Sequence, residues 1–173
     1  MTVLTFTDDA GNKLPLEAST IVRVRGVVES EKTMSHPPRL NVSTRIDGAF
    51  TAYVREAPTV VAASIKTVIA TFDSLQLPDR RRGDVWLDAK DATGPVPTSP
   101  TNRPDGARSA LVIGNMLQYV HNTPEEVHDL LEKHGGKALP LPQPSIMSAE
   151  RAQESVQGWL APKGVWDAEL PGS

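Results

Sequence analysis

A short pattern occurs twice in this chain, and no other feature of the sequence constrains its fold as tightly. Residues 44–65 read Thr-Arg-Ile-Asp-Gly-Ala-Phe-Thr-Ala-Tyr-Val-Arg-Glu-Ala-Pro-Thr-Val-Val-Ala-Ala-Ser-Ile. Residues 110–131 read Ala-Leu-Val-Ile-Gly-Asn-Met-Leu-Gln-Tyr-Val-His-Asn-Thr-Pro-Glu-Glu-Val-His-Asp-Leu-Leu. A constant offset of 66 aligns Gly48 with Gly114, Tyr53-Val54 with Tyr119-Val120, Pro58 with Pro124 and Val61 with Val127. Each identity falls where a strand–turn–strand–helix unit needs that residue. The pattern predicts an α+β chain of two tandem, pseudo-duplicated β-hairpin–helix units at residues 1–76 and 77–136. An extended Pro-rich C-terminal arm with a short helix follows over residues 137–173.

In the first copy, Leu40, Val42, Thr44 and Ile46 alternate into Asp47-Gly48, the favoured type I′ two-residue turn. Pairing Ile46 with Ala49 sets Val42 opposite Tyr53, with Phe50, Ala52 and Val54 on the other face. Pro58 suits the first turn of a helix. Val61, Ile65, Val68, Ile69 and Phe72 form an apolar stripe that carries this helix to about Leu75. Before the hairpin, Ser19–Val28 reads as a strand, with Val22 and Val24 on one side and Arg23 and Arg25 on the other. Pro15 confines the segment around Leu14 and Leu16 to a short or edge strand. Glu29–Arg39 reads as an exposed loop.

The second copy has the cleaner helix signal. Thr123 and Glu126 have capping-box spacing, Pro124 takes the first helical position, and Gly135-Gly136 ends the helix. Two turns compete in its hairpin. The repeat predicts Ile113-Gly114, while turn chemistry favours Gly114-Asn115 as type II′, and the choice swaps every side chain between faces. Asp84–Ala89 reads as a short strand. Residues 92–107 hold Pro95, Pro97, Pro100 and Pro104 and predict a long projecting loop. Beyond Ala138–Pro144, Ser148 can cap a short helix carrying Ala152, Val156, Trp159 and Leu160 on one side.

The segments Ile46-Asp47-Gly48…Tyr53-Val54-Arg55-Glu56 and Gly114…Tyr119-Val120-His121-Asn122-Thr123-Pro124-Glu125-Glu126-Val127 resemble the short flagellar regulators of the FlbD/SwrD type. The resemblance spans about 22 residues in each copy. It implies a local fold only: a strand, a turn with glycine, a strand closing on Tyr and Val, and a Glu-containing entry to a helix.

The sequence offers little chemistry. The chain has no cysteine, which removes thiolate catalysis, disulfides and Cys-ligated zinc. A net charge of −3 argues against a protein that coats nucleic acid. His36, His121, His128 and His134 lack the i,i+4 spacing of a metal face. Asp84, Asp88 and Asp91 read as a solvated strand edge, because Lys90 interrupts them and the calcium-loop pattern is missing. No phosphate loop, nucleophile elbow or dinucleotide fingerprint occurs. No catalytic residue, cofactor or metal is therefore expected.

Two binding features stand out instead. Val156, Trp159, Leu160 and Trp166 set large apolar groups in a polar, Pro-rich segment, which predicts an arm that lies on a protein partner or another copy. Arg80-Arg81-Arg82, with Arg23 and Arg25, is the basic concentration. It predicts a charged linker or a contact with a transcription factor or, weakly, nucleic acid. The expectation is a non-enzymatic assembly or adaptor protein, a phage or other virion component or part of another complex. It would be made in a cytoplasm, with no membrane span.

Overall fold

A computed structural model describes residues 1–141 as a mixed α+β structure. The strands are β1 (Val3–Thr7), β2 (Lys13–Glu17), β3 (Arg23–Gly26), β4 (Thr44–Asp47), β5 (Thr51–Val54), β6 (Phe72–Gln76), β7 (Asp84–Asp88), β8 (Ala92–Gly94), β9 (Ser109–Ile113), β10 (Met116–Val120) and β11 (Lys137–Ala138). The helices are α1 (Glu29–Thr33), α2 (Pro58–Lys66) and α3 (Pro124–His134), and 3-10 turns occupy Ala18–Thr20, Arg80–Arg82 and Ala89–Asp91. Strands β1 and β2 pair alone; the others form a five-stranded sheet, β5-β4-β3-β7-β6, and a four-stranded sheet, β10-β9-β8-β11. The predicted helix over Ser148–Leu160 lies outside the described residues.

The five-stranded sheet explains a misreading of residues 68–75. Val68, Ile69, Phe72 and Leu75 have helical spacing, yet α2 stops at Lys66 and Phe72–Gln76 is strand β6. Residues an odd number apart on a strand face opposite sides. Phe72 accordingly joins one core with Val24, Ile46, Val54, Val61 and Ile65, while Leu75 joins the other with Val85, Leu87, Leu111, Val120, Val127 and Leu131. A strand that feeds cores on both faces mimics the spacing of a helix stripe. Val22, just outside β3, packs on the second core rather than siding with Val24.

The first hairpin also differs from its expected register. Ile46 stands opposite Ala52 and Arg45 opposite Tyr53, so Gly48-Ala49-Phe50 form the loop. Gly48 has no positive φ, which excludes the type I′ turn. Glycine is required there for another reason: a Cβ at position 48 would sit 2.5 Å from the Thr20 carbonyl oxygen. The slip puts Tyr53 on the face opposite Ile46. In the second hairpin Ile113 stands opposite Met116, and Gly114 has φ +59°. The turn is Gly114-Asn115, as turn chemistry favours, and not Ile113-Gly114.

The boundary expected at 76/77 runs through the β6–β7 hairpin, whose strands pair from Phe72–Asp88 to Gln76–Asp84. The order from β1 to α2 is β–β–3-10–β–α–β–β–α and that from β6 to α3 is β–3-10–β–3-10–β–β–β–α, so five strands and a closing helix recur while α1 and the Arg80–Arg82 turn have no counterpart. Backbone contacts recur with it. Ser43 N–H donates to Val54 O and Arg108 N–H to Val120 O, both at 2.9 Å. Thr44 Oγ1 donates to Glu56 O and Ser109 Oγ to Asn122 O, both at 2.6 Å. Arg55 N–H meets Thr7 O and His121 N–H meets Gln76 O, both at 2.8 Å. In return Thr7 N–H reaches Glu56 Oε2 at 3.1 Å and Gln76 N–H reaches Asn122 Oδ1 at 2.7 Å.

The 92–107 loop does not project throughout. β8 takes its first residues, Val96 N–H bonds to Ala110 O at 2.8 Å, and Pro95 and Ala107 are buried, leaving residues 99–106 exposed.

Candidate functional site

The densest polar constellation covers one face of β3, β4 and β5. Alternation aims Arg23 and Arg25 of β3, Arg45 and Asp47 of β4 and Tyr53 of β5 to the side away from α2. The segment expected to be a loop at 29–39 contributes α1, which lowers Glu31 onto this face. Arg23 donates to Asp47 Oδ2 and to Gln118 Oε1, both at 2.8 Å, and so ties this sheet to β10. Arg25 meets both Glu31 oxygens at 3.0 and 2.6 Å, in the two-pronged geometry of a guanidinium–carboxylate pair. Arg45 bridges Glu31 at 2.5 Å and Asp47 at 2.8 Å. Arg39 stacks 4.3 Å from the Tyr53 ring centre.

Burial pushes the Glu31 carboxyl upward, but hydrogen bonds from Arg25, Val28 N–H and Arg45 outweigh it and hold it down to about 2. Asp47 follows the same logic: burial raises it, and the charge of Arg23 with bonds from Arg45 and Arg23 brings it below its ordinary value. Burial pulls Arg23 downward against the attraction of Asp47, and the guanidinium stays charged. Among the described residues, no buried side-chain donor or acceptor lacks a partner. In this network every one of the three arginines is hydrogen-bonded to a carboxylate. Arg23 and Arg25, expected to join a basic contact, are each paired with a carboxylate of the protein itself.

Arg80, Arg81 and Arg82 form a 3-10 turn between β6 and β7. Asp79 accepts from Arg81 N–H and pairs with its side chain at 3.1 Å, and that side chain is 91% exposed. Arg80 enters a polar cleft of about 480 Å³ with Asp84, Arg108, His121 and Glu126. Within it, His121 Nδ1 donates to the Gly106 carbonyl at 2.7 Å, which leaves Nε2 as the acceptor of the neutral ring. Burial raises the Asp84 carboxyl above its ordinary value. Arg82 lines a second groove, of about 320 Å³, beside Leu117 and Tyr119 of β10. A more apolar groove of about 600 Å³ runs past Leu14, Pro37, Phe50 and Tyr53.

The histidines do not converge. His36 lines the apolar groove, His121 the polar cleft, and His134 Nε2 lies 2.8 Å from Asp73, where that bond and Ser74 N–H overcome burial to hold Asp73 low. His128, Asp129 and Glu132 bring donor atoms within 4.8 Å on the solvent side of α3, a grouping that histidine spacing alone does not single out. Asp88 does not fit the expected solvated edge, while Asp84 is half-buried and Asp91 exposed. β7 lies inside the sheet, and Asp88 is buried, accepting from Thr71 Oγ1 at 2.5 Å and Lys90 N–H at 3.2 Å.

The arm residues Val156, Trp159, Leu160 and Trp166 lie outside the described residues. No helix among the described residues is long and apolar enough to cross a membrane. No protein-family profile, curated protein or solved structure matches the chain.

Proposed function

We propose that the chain is a non-enzymatic assembly or adaptor protein, a component of a phage, another virion or a different multi-subunit complex. It engages a protein partner or further copies of itself through the C-terminal arm. One contrast supports this. Residues 1–141 fill two cores with their own side chains, while Trp159, Leu160 and Trp166 sit in a stretch of Pro, Gly and charge. Indole rings gain most from an apolar surface, and a partner's surface supplies it. In this reading the body is a duplicated hairpin–helix unit, supported by the hydrogen bonds shared between its halves, and the protein acts in a cytoplasm or within a particle assembled there. No cofactor, metal or membrane takes part.

The test is the solution mass of the full chain, of a chain ending at Leu141, and of the full chain with Trp159→Ala and Trp166→Ala. The truncated chain retains every core residue found among the described residues, and its circular dichroism must match that of the full chain for the comparison to count. Association that is lost in both variants supports the arm; association that is unchanged in both removes it. A regulatory contact through Arg80, Arg81 and Arg82 is the second reading, favoured by the absence of any ion pair to Arg80 or Arg82 among the described residues. Binding of a transcription factor or nucleic acid that survives replacement of all three arginines by alanine excludes it.

A further inference from the structure

A row of outward N–H and C=O groups on an edge strand invites another strand, and soluble proteins blunt such edges. Most edges here are blunted. In β2, the bonds Asp8 N–Asn12 O and Ala18 N–Thr2 O, both 2.9 Å, assign the even-numbered residues to β1. Position 15 faces outward and, being proline, offers no N–H. On β6, Asp73 takes Ser74 N–H at 2.9 Å, while Asn122 and His121 take Gln76. β5 is flanked by the β1–β2 turn, which Asn41 N–H and Arg55 fasten through Asp9, and by Arg39 on Tyr53.

β10 is not blunted, and neither is the outer side of β1, where Val3 and Thr5 have no backbone partner among the described residues. Its two-residue turn makes Ile113–Met116 a hydrogen-bonded pair, so Met116, Gln118 and Val120 bond to β9 while Leu117 and Tyr119 point their backbone outward. Among the described residues, Leu117 N–H, Leu117 C=O and Tyr119 N–H have no hydrogen-bond partner, and Tyr119 C=O has only the Gln118 side-chain amide at 2.8 Å. The Leu117 side chain is 52% exposed.

We propose that β10 pairs antiparallel with β10 of a second copy about a two-fold axis at Gln118, joining two four-stranded sheets into one. The strand is self-complementary. An axis at Gln118 sets Leu117 of one copy opposite Tyr119 of the other, and both residues have outward N–H and C=O groups, so each of the two pairs closes two hydrogen bonds. Each pair is also aliphatic-on-aromatic, a favourable cross-strand combination. Met-Leu-Gln-Tyr-Val carries no charge, so self-pairing sets no like charges opposite each other. The Gln118 amide releases Tyr119 C=O to the incoming Leu117 N–H. The pairing uses the body of the protein and is independent of the arm.

Sedimentation of the full chain across the micromolar range is expected to show a monomer–dimer equilibrium. Leu117→Lys is expected to weaken it by about tenfold or more with unchanged circular dichroism, because lysine on an edge repels a second edge. The chain has no cysteine, so register can be read directly: mixed Leu117→Cys and Tyr119→Cys proteins should form a disulfide heterodimer in excess of either homodimer. This readout stands even if Leu117→Lys fails to fold. A full chain that stays monomeric, or a mixture without preferred heterodimer, overturns the proposal. A dimer that Trp159→Ala with Trp166→Ala abolishes and Leu117→Lys leaves intact also overturns it, while sparing the arm.

Discussion

The hairpins β1–β2 and β6–β7 are fastened alike. In each, the alanine that begins the following 3-10 turn sends its N–H back to a threonine carbonyl: Ala18 to Thr2 at 2.9 Å and Ala89 to Thr71 at 3.1 Å. They differ in what they join. The first stands as a two-stranded sheet, while the second inserts β7 beside β3 at the centre of five strands. Aligning Ala18 with Ala89 matches Leu16 with Leu87 and Pro15 with Trp86. Asp88 N–H bonds to Val22 O at 3.1 Å, and the ladder repeats every second residue, so Trp86, opposite Val24, aims its N–H at β3. Pro15 has none. At matched positions, one hairpin has a backbone donor aimed at a third strand and the other has none.

The most severe way to break this contrast is to give the second hairpin the first one's residue. Trp86→Pro removes the N–H aimed at Val24 and an indole packed on the first core. The combined loss should exceed about 5 kcal/mol, enough to unfold a domain of ordinary stability. Circular dichroism should show no cooperative melt near that of the parent. A variant that melts within a few degrees of it would show that β7 does not need this donor.

Next in size are the carboxylates that let β3 carry arginines on a covered face. Asp47→Ala leaves Arg23 with no carboxylate and only Gln118 as partner, and Arg45 with Glu31 alone, at a cost of about 3–5 kcal/mol. The same network sets an acid response. Glu31 is held at about 2 against an ordinary 4.5, so it binds fewer protons folded than unfolded. Its stabilisation is complete above pH 4.5 and is lost as pH falls toward 2, with the lowered Asp47 adding in the same direction. Glu31→Gln should flatten the fall of melting temperature in that window, and an unchanged slope would assign the acid sensitivity elsewhere.

Helix entry gives a smaller contrast. α3 begins with a full capping box, Thr123 Oγ1 accepting from Glu126 N–H at 3.2 Å and Glu126 Oε2 from Thr123 N–H at 2.9 Å. α2 begins at Ala57, which has no side chain to cap with. Thr123→Ala should cost about 1 kcal/mol and Ala57→Ser should stabilise by a comparable or smaller amount, read as opposite shifts in denaturant midpoint at constant slope. Shifts of the same sign would mean that neither cap governs its helix.

These contrasts track what was legible in the chain. Local chemistry was: the α3 cap, Pro58 and Pro124 at helix starts, the Gly114-Asn115 turn and Pro15 at an edge all follow from single residues and their neighbours. Long-range pairing was not. Phe72 and Leu75 read as helix because nothing local says that β7 lies beside them with a core on either face. Asp47-Gly48 read as a tight turn because the Thr20 carbonyl, which excludes a Cβ there, approaches from another element. The arginines of β3 read as available because Asp47 and Gln118, which occupy Arg23, arrive from distant segments, and Glu31 reaches Arg25 only because Glu29–Thr33 coil into α1. The offset of 66 aligns the second hairpin strands and the helix starts, whereas the matching bonds of the first hairpin strands, Ser43 with Arg108 and Thr44 with Ser109, fall at 65 because one loop has three residues and the other two.

The mildest change tests the comparison from the other side. Pro15→Val restores an N–H on the outer edge of β2 and should alter stability by less than about 1 kcal/mol, because the residue is exposed and the strand geometry suits valine. Its consequence lies in association. A five-residue strand with an open donor row becomes a template for another edge, as β7 is for β3. Light scattering should show Pro15→Val self-associating at concentrations where the parent does not, and adding Leu117→Lys should leave that excess in place because it arises at a different edge. If Pro15→Val stays as dispersed as the parent, the proline is not what keeps the first hairpin apart, and the cause must be sought in the side chains of Lys13 and Glu17 that flank it.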